Sequence, residues 1–200
     1  MKILNLYAGI GGNRKLWGDK HDITAVEIDE NIAKIYQDFY PNDKVIVADA
    51  HQYLLEHFKE FDIIWSSPPC PSHSSFRQNI CVRYRGTKPV YPDMRLYQEI
   101  LFLKYNFKGN WIVENVKPYY PPLIEPTFTL ERHLFWGNIE VPGKVFEKDS
   151  IRTSQIPQLQ KKYGYDLSRY KLKNKRQILR NCVEPKIGKY ILECLNKLTI

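Results

Sequence analysis

The strongest constraint on this chain is an alternation of short apolar runs, each closing on a glycine, an acid or a proline, with stretches of helical spacing. Lys2–Tyr7 is apolar and ends in Ala8-Gly9-Ile10-Gly11-Gly12, after which Asn13–Trp17 opens a helix. Ile23–Ile28 carries Glu27 near its end, and Asn31–Phe39 follows with Ile32, Ile35, Tyr36 and Phe39 on one face. Val45–Ala48 ends at Asp49, and a helix is expected over His51–Phe58. Phe61–Ser66 runs into Pro68-Pro69-Cys70 and a long polar loop reaching Pro92. A helix over Met94–Asn106 and a strand over Asn110–Glu114 continue the pattern. Strand and helix in turn predict an α/β fold, a mostly parallel sheet with helices on both faces. Ligands of such sheets sit at the carboxyl ends of the strands. Gly9–Gly12, Glu27, Asp49, Pro69-Cys70 and Glu114-Asn115 stand at successive strand ends, so the alternation gathers them around one crevice.

The 200 residues, 43% hydrophobic and without a Gly/Ser-rich or Pro-rich linker, predict a single domain over 1–200. The longest apolar runs, Ile3–Leu6 and Ile63–Trp65, fall far short of the roughly 20 residues that cross a bilayer. With no signal-peptide pattern, a soluble protein of the cell interior without a membrane partner is expected. Cys70, Cys81, Cys182 and Cys194 lack zinc spacing and are expected to bind no metal and form no disulfide. The net charge of +8 is concentrated between Lys144 and Arg180, which hold eleven Lys/Arg against three Asp/Glu. Such a run reads as a solvated face. With Tyr163, Tyr165, Tyr170, Gln155, Gln158 and Gln160 interleaved, it also suits a nucleic-acid surface.

Gly9, Gly11 and Gly12 allow a tight turn and close approach of a ligand to the backbone. The turn is not a full dinucleotide fingerprint, because Arg14 occupies the position of its third glycine. Glu27 is placed to accept hydrogen bonds from ribose hydroxyls, and Asp49 to accept one from an adenine amino group. Either acid alone reads as a loop cap; at successive strand ends they favour an adenosine ligand. Tyr7 packs on the adenine or belongs to the core. Ser67-Pro68-Pro69-Cys70 sets a thiol on a rigid turn, and Glu114-Asn115-Val116 closes the next strand. A thiol and a carboxyl group in one crevice suit a nucleophile with a general acid.

Leu6-Tyr7-Ala8-Gly9-Ile10-Gly11-Gly12, Glu27-Ile28-Asp29, Pro68-Pro69-Cys70 and Glu114-Asn115-Val116 together resemble the ordered motifs of the DNA cytosine-5 methyltransferases. Asn181-Cys182-Val183-Glu184-Pro185 resembles the family's last motif, and Phe135-Trp136-Gly137-Asn138 its animal de novo enzymes. The resemblance implies a Rossmann-like class I methyltransferase fold. It also implies methyl transfer from S-adenosylmethionine to carbon 5 of a flipped-out cytosine in double-stranded DNA. Cys70 would add to carbon 6 of the ring, Glu114 would hydrogen-bond or protonate nitrogen 3, and Arg132 would touch the base or its phosphate. The cofactor site would comprise Tyr7, Gly9, Gly11, Gly12, Glu27, Ile28, Asp49, Ala50, Pro69, Asn181 and Cys182. The Pro71–Pro92 loop, with Arg77, Arg83 and Arg85, is the lid candidate.

The chain departs from the family pattern in several places. Asn5 replaces the first motif's aspartate, Pro71-Ser72 the glutamine after the nucleophile, and Arg180 the glycine before Asn181. Glu131-Arg132-His133 stands for an arginine pair. The long target-recognition region is reduced to a short basic insertion, 139–180, in which Lys171, Lys173 and Lys175 are expected to hold DNA phosphates. A short recognition site follows, unless a second subunit supplies the rest. Three rival readings stand beside it: amine methylation, opposed by Ser67 and Cys70; cytosine-5 methylation of transfer RNA, which shares the chemistry; and a noncatalytic nucleic-acid-binding subunit.

Overall fold

The computed structural model describes residues 1–146 and 154–197. The apolar runs pair into a seven-stranded sheet of order β3-β2-β1-β4-β5-β7-β6. The strands are β1 Lys2–Leu6, β2 Asp22–Glu27, β3 Lys44–Val47, β4 Ile63–Ser66, β5 Asn110–Val116, β6 Phe128–Leu130 and β7 His133–Gly137. The first five are parallel, in a register that sets Ile3 beside both Ile23 and Ile63. β7 runs antiparallel to both β5 and β6, with Glu114 opposite Phe135 and Val116 opposite His133. This pairing carries β5 two residues past its expected end, so Glu114 lies inside a strand.

Strand periodicity divides the core between the faces. Ile3, Ile23, Ile63, Trp65 and Ile112 meet Ile187, Ile191, Leu192 and Leu195 of the helix α7 (Pro185–Lys197) on one face. Leu4, Leu6, Val26, Ile64 and Val113 meet α2 (Ala50–His57) and α4 (Arg95–Asn106) on the other. Helix α1 (Glu30–Phe39) starts where the Asp29 carboxylate accepts the amides of Asn31 and Ile32.

Three expectations are corrected. Asn13–Leu16 is a single 3-10 turn, pinned by α7: a side chain at Gly188 would sit 2.2 Å from the Asn13 carbonyl oxygen. The segment after Cys70 is not all loop, since a π-helical turn, Arg77–Val82, continues into the short helix α3, Arg83–Arg85, closed by Gly86 in the left-handed region. The third correction concerns the basic stretch. Its residues 147–153 lie outside the described part, but α5 (Ile156–Tyr163) and α6 (Lys175–Arg180) pack onto α1. Tyr163 and Tyr165 are core residues, 3% and 1% exposed. Gln155 and Gln158 form the capping box of α5, and Gln160 accepts the Leu167 amide. The tyrosines and glutamines interleaved with the positive charge therefore build the fold. Tyr170 is half-buried, donating to Asp38.

Candidate active site

A cavity of about 380 Å³ opens at the carboxyl edge of the sheet, within the size range of small-molecule sites. Tyr7, Gly9 and Gly12 line it from the β1 turn, Glu27 and Ile28 from β2, Pro69 and Cys70 from the β4 turn, and Glu114 from β5. Arg132 reaches it from the β6–β7 turn, and Asn181 and Cys182 from the start of the C-terminal motif. Most of the expected catalytic and cofactor residues therefore share one space. Gly11, Asp49 and Ala50 stand outside its lining. Gly11 has φ +86, and its carbonyl accepts the hydroxyls of Tyr165 at 2.6 Å and Tyr40 at 3.2 Å. Asp49 caps α2 at the Gln52 amide and pairs with Arg95 at 3.1 Å. Ala50 is buried against α4.

The glycine turn is held from both ends of the chain. A side chain at Gly12 would lie 2.7 Å from the Cys182 Cβ, so only glycine lets the last motif close on the first. Asn5, standing for the family's aspartate, exchanges hydrogen bonds with Asn13 at 2.8 and 3.4 Å. Arg14 is buried and bidentate to Asp43 at 2.8 and 3.0 Å, and the Tyr36 hydroxyl donates to the same carboxylate. Sequence reasoning noticed Arg14 only as a missing glycine. Glu27 accepts the amides of Gly9 at 2.9 Å and Asp29 at 3.0 Å, one on each oxygen. Each oxygen keeps a second lone pair for a ribose hydroxyl. With Gly9 leaving open space beside it, this end of the cavity fits an adenosine group.

The thiol end is bound together across β4 and β5. The Asn115 amide donates to the Pro68 carbonyl at 3.0 Å, fixing the turn that carries Cys70. Trp65 donates to the Ser67 hydroxyl at 3.0 Å, and Ser67 is hydrogen-bonded to Glu114. Burial raises the Glu114 carboxyl to about 7, against the opposing pull of Ser67 and Arg132. Burial, and then the Glu114 charge, push the Cys70 thiol up to about 11, while Arg132 lowers it. Burial also pushes Cys182 up to about 12, and its side chain packs against the glycine turn at Gly12. His133, buried with its Nε2 at 3.9 Å from Glu114, is held neutral by burial and by Arg132. Ser67 and Asn115 belong to motifs already legible in the sequence; His133 is brought beside Glu114 by the pairing of β5 with β7.

Arg180, noted in the sequence only as a replaced glycine, lines the cavity with Arg132. Arg132 donates to the Arg180 carbonyl at 3.3 Å, and the Arg180 guanidinium lies 5.3 Å from the centre of the Phe76 ring. The segment after Cys70 and the end of α6 thus meet at the cavity mouth. Arg77 donates to the Lys88 carbonyl at 3.1 Å, whereas Arg83 and Arg85 are exposed. Lys171 and Lys173 are exposed, and Lys175 donates to the Ser168 carbonyl.

The C-5 cytosine-specific DNA methylase family model matches residues 1–117, through both the cysteine turn and the Glu114 strand. The chain belongs to this family. A DNA methylase of this family takes its methyl group from S-adenosylmethionine, whose adenosine part the Glu27 end of the cavity fits. Among solved structures, the Spodoptera frugiperda DNMT2 triple mutant is 28% identical over 58% of this chain and 35% of its own, with TM-score 0.41. A putative DNA modification methyltransferase of an E. coli prophage is 19% identical over 60% and 33%, with TM-score 0.41. This chain therefore spans about a third of the length of these two relatives. The Entamoeba histolytica methyltransferase EhMeth, 10% identical over 100% and 99%, shares the fold at TM-score 0.55. The curated proteins give no significant match.

Proposed function

We propose that this chain methylates carbon 5 of cytosine in DNA through a covalent adduct with Cys70. The observation that supports it most is the pairing, in one cavity, of a thiol on a proline-fixed turn with a carboxyl group that is half protonated near neutrality. S-adenosylmethionine supplies an electrophilic methyl group. The Glu27 end would hold its adenosine part, through the carboxylate and the glycine turn.

The remaining work falls to the chain's own residues. Carbon 5 of cytosine is a weak nucleophile until the ring's aromaticity is broken. Addition of the Cys70 sulfur to carbon 6, with a proton from Glu114 to nitrogen 3, leaves an enamine whose electron density lies on carbon 5. A thiol at about 11 is rarely a thiolate at pH 7, so its activation depends on charge. Protonated Glu114 removes the negative charge that opposes ionisation, and Arg132 favours the thiolate directly. Once carbon 5 has taken the methyl group, loss of its proton to water and expulsion of the Cys70 thiolate, with the nitrogen 3 proton returning to Glu114, restore the ring. Arg83, Arg85, Lys171 and Lys173 are free-standing cations suited to phosphates. Residues 139–180 act in this reading as a short basic DNA-contacting insertion, although 154–180 also brace the glycine turn. With so little chain for base contacts, sequence recognition is short or comes from a second subunit. Incubation with radiolabelled S-adenosylmethionine and either DNA or RNA, followed by nucleoside analysis, tests the reading. Label in 5-methylcytosine from DNA supports it; label only in RNA, or in an exocyclic amine, refutes it.

A further inference from the structure

Below the adenosine end of the cavity lies a carboxylate that the proposed mechanism does not use. Glu99, on α4, is 0% exposed. Its Oε1 accepts the Tyr7 hydroxyl at 2.5 Å and meets His51 Nδ1 at 2.9 Å, and its Oε2 accepts the Ser66 hydroxyl at 2.6 Å. These partners come from three elements at the ligand-bearing edge: the end of β1, the start of α2 and the end of β4. A buried carboxylate is costly unless it is well paired, and this one is met by three donors.

Its grip falls on a strained residue. Tyr7 has φ +55, in the left-handed region that side chains other than glycine avoid, and it immediately precedes Ala8-Gly9. Such a conformation persists only where its surroundings over-determine it. The Ala8 amide, bonded to the Val26 carbonyl at 3.0 Å, fixes the backbone after it, and Glu99 fixes the far end of the side chain. Burial and the Glu99 charge hold the Tyr7 hydroxyl far above its ordinary range, so it remains a donor. Between those anchors the ring lines the cavity, with Glu27 and Ile28.

We propose that Glu99 is a positioning residue for the cofactor, its carboxylate holding the Tyr7 ring as a wall of the adenosine subsite. The assignment rests on the methyltransferase reading, which supplies the adenosine ligand. It differs from a purely structural role because the effect on the ligand must pass through the tyrosine hydroxyl.

Calorimetric titration of the full chain with S-adenosylhomocysteine tests this in the wild type, Tyr7→Phe, Glu99→Gln and the double variant. Losing one charge-assisted hydrogen bond predicts about 3- to 30-fold weaker binding for Tyr7→Phe. Glu99→Gln is expected to weaken binding in the wild-type background but by under about twofold once the hydroxyl is gone. In turnover assays, KM for S-adenosylmethionine rises while kcat stays within about twofold, because the reacting groups are untouched. Equal losses from Glu99→Gln in both backgrounds, or unchanged affinity alongside a lowered melting temperature, overturn the assignment. Should Glu99→Gln not fold, Tyr7→Phe decides alone, since it keeps the ring: unchanged affinity overturns the proposal. A wild-type chain that binds no S-adenosylhomocysteine instead overturns the methyltransferase reading, and this assignment with it.

Discussion

Replacing Glu114 by glutamine should stabilise the folded chain while disabling it, and the stabilisation should appear only above a definite pH. In an unfolded chain a glutamate titrates near 4.3; buried in β5, Glu114 titrates at about 7. The folded state therefore holds this proton more tightly than the unfolded state, and folding stability declines as pH rises between those values. Each tenfold change in proton affinity is worth about 1.4 kcal/mol. The ionised side chain thus costs the fold about 4 kcal/mol well above pH 7. An amide of the same shape carries no such cost. Relative to wild type, Glu114→Gln should gain almost nothing of this origin below about pH 4 and almost the full amount by about pH 8, roughly 7–14 °C in melting temperature for a chain of this size. Parallel thermal melts of the two proteins from pH 5 to 8.5, without cofactor, measure the difference directly. Methyl transfer by the same variant should fall on the order of 10²-fold, because the amide can donate a hydrogen bond to nitrogen 3 but no proton. A stability difference that stays flat with pH would refute the raised carboxyl. A variant of unchanged rate would remove Glu114 from the reaction.

Cys70→Ala should abolish methyl transfer and adduct formation with a 5-fluorocytosine duplex, while S-adenosylhomocysteine still binds; trapping through Cys81 instead would relocate the reacting centre. Glu27→Ala should weaken S-adenosylhomocysteine about 10-fold or more, since the carboxylate both faces the adenosine end and holds the Gly9 amide; unchanged affinity in calorimetry removes it from the site. Replacing Lys171, Lys173 and Lys175 by alanine should weaken all DNA duplexes alike. The salt dependence of binding should flatten by roughly 0.9 per lost phosphate contact, and an unchanged slope in filter binding would return this stretch to a purely structural role.

The parallel half of the fold was legible because each strand from β1 to β5 is short, apolar and closed by a turn residue, so period and punctuation agree. That Cys70 and Glu114 share one cavity was legible for the same reason, as they follow and close neighbouring parallel runs at the ligand-bearing edge of the sheet. What escaped is what tertiary pairing decides. β7 has no period that announces an antiparallel partner for β5, yet it delivers Arg132 and His133. Tyr163 and Tyr165 looked like surface aromatics because lysines surround them in the sequence. In space, Leu159 and Leu179 join them in one core cluster with Ile35 and Tyr36 of α1, while Lys161, Lys171 and Lys173 face outward. Asp49, expected on the ligand from its place at a strand end, also caps the start of α2 and pairs with Arg95, contacts that only the folded chain shows.

The contacts of Gly12 with Cys182 and of Asn13 with Gly188 set the order in which a ribosome can deliver a working protein. β1 lies inside the sheet and is made before the other strands, whereas α7, which covers it, is made after all of them. Until α7 has left the exit tunnel, Ile3 and Ile63 have no cover on that face and the glycine turn has nothing to rest on. The nascent chain must therefore carry an open apolar sheet face from the completion of β4 until α7 follows, a state prone to association and to chaperone capture. A fragment ending at residue 117, though it holds every bond-making group, should neither fold nor retain nucleotide.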